Sequence, residues 1–311
     1  MKILVTGGAG FIGSHLVDAL VAEGHQVRIF DNLVRGRKEF LATHLLSRRV
    51  EFVQGDVRDV EAVQKAVQGV EVIFHLAAQS NVLGAVADIE YSFSTNVAGT
   101  LNVLKAARKA GVRRVVFASS REVYGEAVEL PVHEDQPLRA KNAYGASKIA
   151  AEAYCYVFGG DGIEVPVLRL ANVYGPRDRD RVIPVFIQRA LQGQPLVLYG
   201  GDQLIDFIWI GEVVQAFLGA GFREDWPVKQ PVNVGTGTGT PIQKLAARVL
   251  QATQAQVGIQ VTPARGPEVM HFVADVRRLR TLVSVSDHWD SLFQLPAVAK
   301  YWRTCTDRSA E

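Results

Sequence analysis

Short apolar runs and helical patterns alternate through the first half of the chain. Ile3–Val5, Val27–Phe30, Val50–Val53, Val72–Leu76, Val115–Ala118 and Val165–Leu170 are brief and rich in branched residues. Uninterrupted apolar runs of this length suit strands covered on both faces, as in a parallel sheet. Between them lie helical stretches at Ser14–Glu23, Val60–Val67, Thr95–Ala110 and Tyr144–Val157. This alternation predicts βαβ units, and hence an α/β fold built on a doubly wound parallel sheet.

The alternation weakens after about Tyr174. Pro176, Pro184, Pro195, Pro227, Pro231, Pro241, Pro263 and Pro267 follow in quick succession, separated by short helices at Ile183–Leu191, Ile210–Ala220 and Ile242–Leu250. The expected organisation is a Rossmann-type domain over residues 1–174 and a smaller, interwoven lobe over 175–311, with some segments returning to the sheet.

The first strand ends in Thr6-Gly7-Gly8-Ala9-Gly10-Phe11-Ile12-Gly13, and a helix follows. In that context the glycine spacing reads as a dinucleotide-binding turn. Gly7 permits the tight bend, Gly10 admits a pyrophosphate against the backbone, and Gly13 lets helix and strand pack closely. The helix N-terminus, entered through Phe11 and Ile12, then offers free N–H groups to the phosphates. Asp31 closes the second strand about 20 residues on, where a carboxylate binds ribose hydroxyls and repels a 2′-phosphate. NAD is therefore expected over NADP, although Arg35 and Arg37 lie nearby.

Tyr144 and Lys148 stand four apart and share one helix face. An ammonium beside the phenol favours phenolate, so Lys148 is expected to lower the Tyr144 pKa and let it act as a base. The bland alternative is an aromatic contact beside a surface lysine.

Composition narrows the classes. Of 311 residues, 48% are hydrophobic and 21% charged, and the net charge is +2. That balance provides no broad field for nucleic acid or an anionic membrane. Two cysteines, Cys155 and Cys305, make neither a disulfide framework nor a metal pattern. No apolar run approaches the ~18 residues of a membrane span, and the start of the chain carries no secretory h-region. A cytoplasmic, metal-free enzyme is expected.

Taken in order, these motifs resemble the extended short-chain dehydrogenase/reductases of the NAD-dependent sugar epimerase/dehydratase group, over Ile3 to about Asp275. The resemblance adds cofactor residues: Asn32, Gly55-Asp56-Val57 at the adenine, and His75-Leu76-Ala77-Ala78-Gln79 under the nicotinamide ribose. It also adds Asn96 in Asn96-Val97-Ala98-Gly99-Thr100, the strand-end hydroxyl Ser119, and a ribose contact from Lys148. In Ala118-Ser119-Ser120-Arg121-Glu122-Val123-Tyr124-Gly125 it assigns Ser120 to the sugar oxygen that loses a proton, assisting Tyr144. Dehydratases of the group often carry Asp-Glu after that hydroxyl, the Asp as acid and the Glu as base. Arg121 cannot be that acid, because a guanidinium is a donor only. Glu122 is either the surviving base or a structural carboxylate paired with Arg121.

The same resemblance makes the C-terminal lobe the substrate lobe. Asn172 would touch a nucleotide-sugar diphosphate; Val182, Ile183, Leu198 and Tyr199 would surround the base; Arg265 and Glu268 would stand at the phosphate. Two departures stand out: Ile205 replaces a common Arg, which Arg177 or Arg181 would have to offset, and Thr281–His288 lacks the usual ending. The activity implied is 4-epimerisation of a UDP-hexose or UDP-hexuronate through a transient 4-keto sugar. Alternatives are a dehydratase or decarboxylase using Glu122, or a non-catalytic NAD- or nucleotide-sensing protein. The group also implies a homodimer formed through two helices of the first domain.

Overall fold

The computed structural model describes residues 1–160, 162–284 and 290–307. Of the departing stretch Thr281–His288, residues 285–288 lie outside the described residues. Thirteen strands are present among the described residues: β1 Lys2–Thr6, β2 Gln26–Asp31, β3 Val50–Gln54, β4 Val72–His75, β5 Arg114–Ser120, β6 Val167–Leu170, β7 Asn172–Tyr174, β8 Leu196–Tyr199, β9 Leu204–Trp209, β10 Val232–Val234, β11 Gly239–Pro241, β12 Ile259–Thr262 and β13 His271–Phe272.

Seven of them form one sheet in the order β10-β6-β5-β4-β1-β2-β3, parallel throughout. The chain builds outward from β1 to β3, then crosses back to start β4 on the other side of β1. That reversal opens a crevice at the carboxyl ends of β1 and β4, where sheets of this kind bind ligands. β10 leaves the C-terminal lobe to pair with β6, Val232 beside Leu168. β7, only two residues beyond β6, joins β9 in a second sheet with β11 and β13.

Alternation along each strand sends side chains to opposite faces. Ile3 and Val5 join one core cluster with Leu16, Leu20, Phe74 and Phe217; Leu4 joins a second with Ile73, Val103 and Phe117. Burial of each such side chain contributes roughly 1.5–3 kcal/mol. A third cluster, including Ile183, Phe186, Leu196, Leu245 and Leu295, holds the smaller lobe together.

Two helices differ from the sequence expectation in ways that shape the site. The helix expected from Ser14 begins at Phe11, with Gly10 as its N-cap, because the last glycine-loop residues form its first turn. The helix expected from Thr95 opens as a π-turn, Ser94–Ala98, and becomes α-helical at Gly99–Ala110. Single π-turns are rare and concentrate at functional sites. Among the described residues no helix is long and apolar enough to cross a membrane.

Candidate active site

A cleft of about 1000 Å³ runs along the carboxyl ends of the central strands and under the smaller lobe. Gly7, Gly10, Phe11, Ile12 and Gly13 line its floor. Gly7 has φ +69°, and a Cβ there would lie 2.8 Å from Ala77 N; one on Gly13 would lie 2.2 Å from Gly7 O. The turn thus has room for backbone alone. Gly10 provides no side-chain cap, so the first-turn N–H groups are left for an anion.

Asp31 ends β2 with both carboxylate oxygens fixed: Oδ2 accepts from Ala9 N (3.0 Å) and Oδ1 from Leu33 N (2.8 Å). Burial pushes its pKa up, and those two bonds pull it down. Asn32 lines the cleft and donates to Asp56 Oδ2 at 2.9 Å. Val57 also lines it, but Asp56 does not. Asp56 is bound by Arg58, which holds its carboxyl near 2.

Leu76, Ala77, Ala78 and Gln79 line the far wall. They are held by a buried chain of hydrogen bonds. Ala77 N donates to Thr6 Oγ (3.2 Å), which meets His75 Nδ1 (2.7 Å); His75 Nε2 meets Thr100 Oγ (2.9 Å), which donates to Asn96 O (2.6 Å). Since Thr100 spends its proton on Asn96, His75 must be the Nε2–H donor and Nδ1 the acceptor. Burial, helped by Lys148, holds His75 neutral by pushing its pKa down to about 3.

Asn96, expected to bind the cofactor, does not line the cleft and is buried. Its carbonyl accepts from Gln79 N (2.7 Å), and its amide donates to Gln79 O (3.1 Å) and Ser147 Oγ (2.8 Å). It therefore pins the Gln79 loop to the Tyr144 helix. Asn96 sits at the middle of the π-turn Ser94–Ala98.

Tyr144 and Lys148 lie on the helix Ala143–Gly159 and both line the cleft. Their electrostatics differ from expectation. Burial drives the Tyr144 pKa up to about 12, and the groups that pull it back are Arg181, the Ser120 hydroxyl and Arg35, not Lys148. Burial also lowers Lys148 to about 8. The Lys148 ammonium donates to Ala118 O at 2.8 Å and lies 4.7 Å from the Phe117 ring centroid. It faces the strand end more than the phenol.

β5 brings Ser119 and Ser120 to the cleft. Ser119 Oγ donates to the buried Glu152 carboxylate, which also pairs with Arg169 at 2.7 Å. Ser120 Oγ lies close enough to the Tyr144 hydroxyl to lower its pKa and accepts from Glu122 N at 3.2 Å, capping the short turn Arg121–Val123. Glu122 is 5% exposed. One of its oxygens lies 3.0 Å from the Arg121 guanidinium; the other accepts from Asn142 Nδ2 at 2.7 Å.

The smaller lobe contributes Asn172, Val182, Ile183, Leu198, Tyr199, Arg265 and Glu268 to the same cleft. Asn172 Nδ2 is buried without a hydrogen-bond partner. The Arg265 guanidinium stacks 3.4 Å from the Tyr199 ring centroid and reaches Glu268 at 3.3 Å. Ile205, packed against the third core cluster, lines the same cleft as Arg177 and Arg181. Those two arginines already face acids: Arg177 lies 2.8 Å from Asp18, and Arg181 lies 3.1 Å from Asp178. Sequence reasoning missed Asn142, which was legible only as an Asn before a helix, and placed Arg35 only beside the cofactor ribose, not near Tyr144.

A parallel sheet with a phosphate-binding glycine turn at its reversal point, facing a Tyr/Lys helix across one cleft, defines a dinucleotide-dependent enzyme. A family model described as NAD dependent epimerase/dehydratase family matches residues 3–235, and the chain belongs to that family. Its cofactor is NAD, which the side-chain-free turn and the oriented Asp31 fit. A UDP-glucose 4-epimerase of Mycolicibacterium smegmatis is 37% identical over 288 residues, covering 90% of this chain and 89% of that protein. A UDP-N-acetyl-alpha-D-glucosaminuronate decarboxylase of Bacillus cytotoxicus is 33% identical, covering 90% and 91%. The crystal structure of a Thermotoga maritima UDP-glucose 4-epimerase with UDP-glucose is 31% identical, with TM-score 0.92 and coverage of 98% and 100%. Relatives thus include both epimerases and decarboxylases of nucleotide sugars.

Proposed function

We propose that this protein is a nucleotide-sugar 4-epimerase acting on a UDP-hexose or UDP-hexuronate. The observation that carries the reading is the state of Glu122. Both of its oxygens are engaged, by Arg121 and Asn142, and its neighbour in the chain is a guanidinium that cannot act as an acid. A dehydratase needs an acid beside its base; Arg121 cannot be that acid, and Glu122 is held between Arg121 and Asn142.

NAD, when bound, supplies a hydride acceptor and later returns the hydride. Around it, Ser120 orients the sugar C4 hydroxyl and Tyr144 takes its proton. Arg181 and Arg35 favour the phenolate that must form. Asn172, with its unpartnered amide, and Arg265 bind the diphosphate, and the Tyr199 ring takes the base. A 4-keto sugar held mainly at its nucleotide end is free to turn about the diphosphate and present its other face. Tyr144 then gives the proton back.

A homodimer is part of the proposal. Ile89, Phe93 and Val157 are 62%, 59% and 67% exposed, on the helices Ile89–Phe93 and Ala143–Gly159, which pack against each other. Sedimentation tests it, with a monomer as the contrary result.

Incubation with UDP-glucose and UDP-glucuronate tests the reaction. An interconverted C4 epimer supports it, whereas a stable 4-keto or decarboxylated sugar sinks it. Glu122→Gln should keep epimerisation within about tenfold of wild type; complete loss would favour the dehydratase or decarboxylase reading.

A further inference from the structure

We propose that Asn142 is a positioning residue that couples the phosphate-side loop of the substrate cleft to the Tyr144 helix. The inference rests on the nucleotide-sugar reading above. Asn142 is 8% exposed, and both its side-chain oxygen and nitrogen are hydrogen-bonded. Oδ1 accepts from Gly145 N at 2.8 Å and caps the helix that carries Tyr144 and Lys148. Nδ2 donates to Glu122 Oε2 at 2.7 Å and to Pro267 O at 3.0 Å. The orientation of the amide is fixed by its neighbours, because a flip would turn its oxygen toward two acceptors and its nitrogen toward a donor.

Pro267 lies between Arg265 and Glu268, so one amide joins three parts of the cleft: the helix with the proton acceptor, the Ser120–Glu122 turn and the loop that carries the stacked Arg265. The adjacent residue reinforces the tie. Lys141 Nζ donates to Glu268 O at 2.7 Å and pairs with Glu126, and Glu126 accepts from Met270 N at 3.2 Å. Two successive residues at the helix entrance therefore fasten the 265–270 segment. A ligand that orders Arg265 also orders the start of the Tyr144 helix, so contact at the nucleotide end is felt at the sugar. Displacements of an ångström at a reacting group cost up to about 10²-fold in rate.

Asn142→Ser and Asn142→Asp separate capping from coupling. Ser and Asp cap helices about as well as Asn, but Ser is too short to bridge and Asp has no N–H to donate. Both variants are expected to fold and retain NAD, checked by circular dichroism and by bound NAD per chain. UDP should bind both within about threefold of wild type by calorimetry, because Lys141 still holds the loop. In the wild-type holoenzyme, saturating UDP should slow amide exchange across residues 143–150 at least threefold; in Asn142→Ser it should leave that exchange unchanged. For UDP-glucose epimerisation, kcat should fall at least tenfold in Asn142→Ser with KM changed less than threefold, and further in Asn142→Asp, which sets two carboxylates together. Glu122→Gln added to Asn142→Asp swaps donor and acceptor and should recover part of that loss.

Equal exchange slowing in wild type and Asn142→Ser, or kcat within twofold of wild type, would overturn the coupling role while leaving the epimerase reading intact. A wild type that binds UDP and shows the exchange effect without epimerising would overturn only the epimerase reading. Failure of UDP to bind the wild type would overturn both.

Discussion

Lys148 stands one helical turn beyond Tyr144, yet its ammonium donates to Ala118 O at 2.8 Å and lies 5.8 Å from the centroid of the Tyr144 ring. The pair shares a helix face, as its spacing requires, but the cation is directed at the end of β5. The groups that favour phenolate are Arg181 and Arg35, brought together where Arg35 pairs with Asp180, the residue before Arg181.

Tyr144→Phe removes the proton acceptor and leaves the fold and the cofactor turn untouched. Epimerase kcat should fall ~10²–10⁴-fold, with NAD still bound after purification. Arg181→Ala should shift the alkaline optimum of the reaction upward, since it removes the largest influence opposing the raised Tyr144 pKa. Steady-state kinetics across pH measure both.

Lys148 has a stability signature as well. Its folded pKa, about 8, lies below its ordinary 10.5 because the ammonium is buried. Between those values the unfolded chain holds a proton that the folded chain has released, so this residue's contribution to stability rises with pH. Lys148→Met should abolish that rise and melt higher than wild type at pH 7 by about 2–4 °C, while losing activity. Thermal melts from pH 7 to 10 read it.

His75 acts in the opposite pH range. Buried and neutral, with a pKa near 3 against an ordinary 6.5, it lets the unfolded chain bind a proton that the folded chain refuses as pH falls. Stability should therefore drop from pH 6.5 toward 3, by up to ~1.4 kcal/mol per pH unit from this residue alone. His75→Gln should have a lower midpoint at pH 7 and a shallower acid slope in denaturant titrations.

Gly13→Ala places a methyl 2.2 Å from Gly7 O and 2.8 Å from Gly8 Cα. Backbone cannot yield there without opening the turn, so the purified variant should carry less than a tenth of the wild-type NAD. Release by denaturation and enzymatic assay gives the ratio.

Ile205→Arg places a guanidinium on the cleft wall that Arg177 and Arg181, facing Asp18 and Asp178, do not fully serve. UDP affinity should rise about tenfold, as one charge-assisted contact would give, and should become more sensitive to salt. Calorimetry at two ionic strengths tests both.

Much of this molecule follows from its sequence because the causes are local. Branched apolar runs of strand length, the glycine spacing after β1, Asp31 at the end of β2 and the four-residue interval from Tyr144 to Lys148 each obey short-range rules of periodicity and sterics. They are sufficient for the α/β sheet, the cofactor turn and the placing of Tyr144 and Lys148 on one helix face at the cleft. What they leave open depends on groups far apart in the chain. The fold buries Asn96 between Gln79 and Ser147, and pairs Asp56 with Arg58 and Asn32. The Tyr144 environment combines Arg35 and Arg181, 146 residues apart, and the state of Glu122 depends on Asn142 and on a loop near Pro267. Burial and long-range pairing set charge and orientation, and neither can be read from spacing. The sequence alone thus determined a dinucleotide-binding α/β enzyme with a Tyr/Lys helix at its cleft. Only the tertiary structure decided which side chains hold Tyr144, Glu122 and the Gln79 loop in place, because those contacts join residues far apart in the chain.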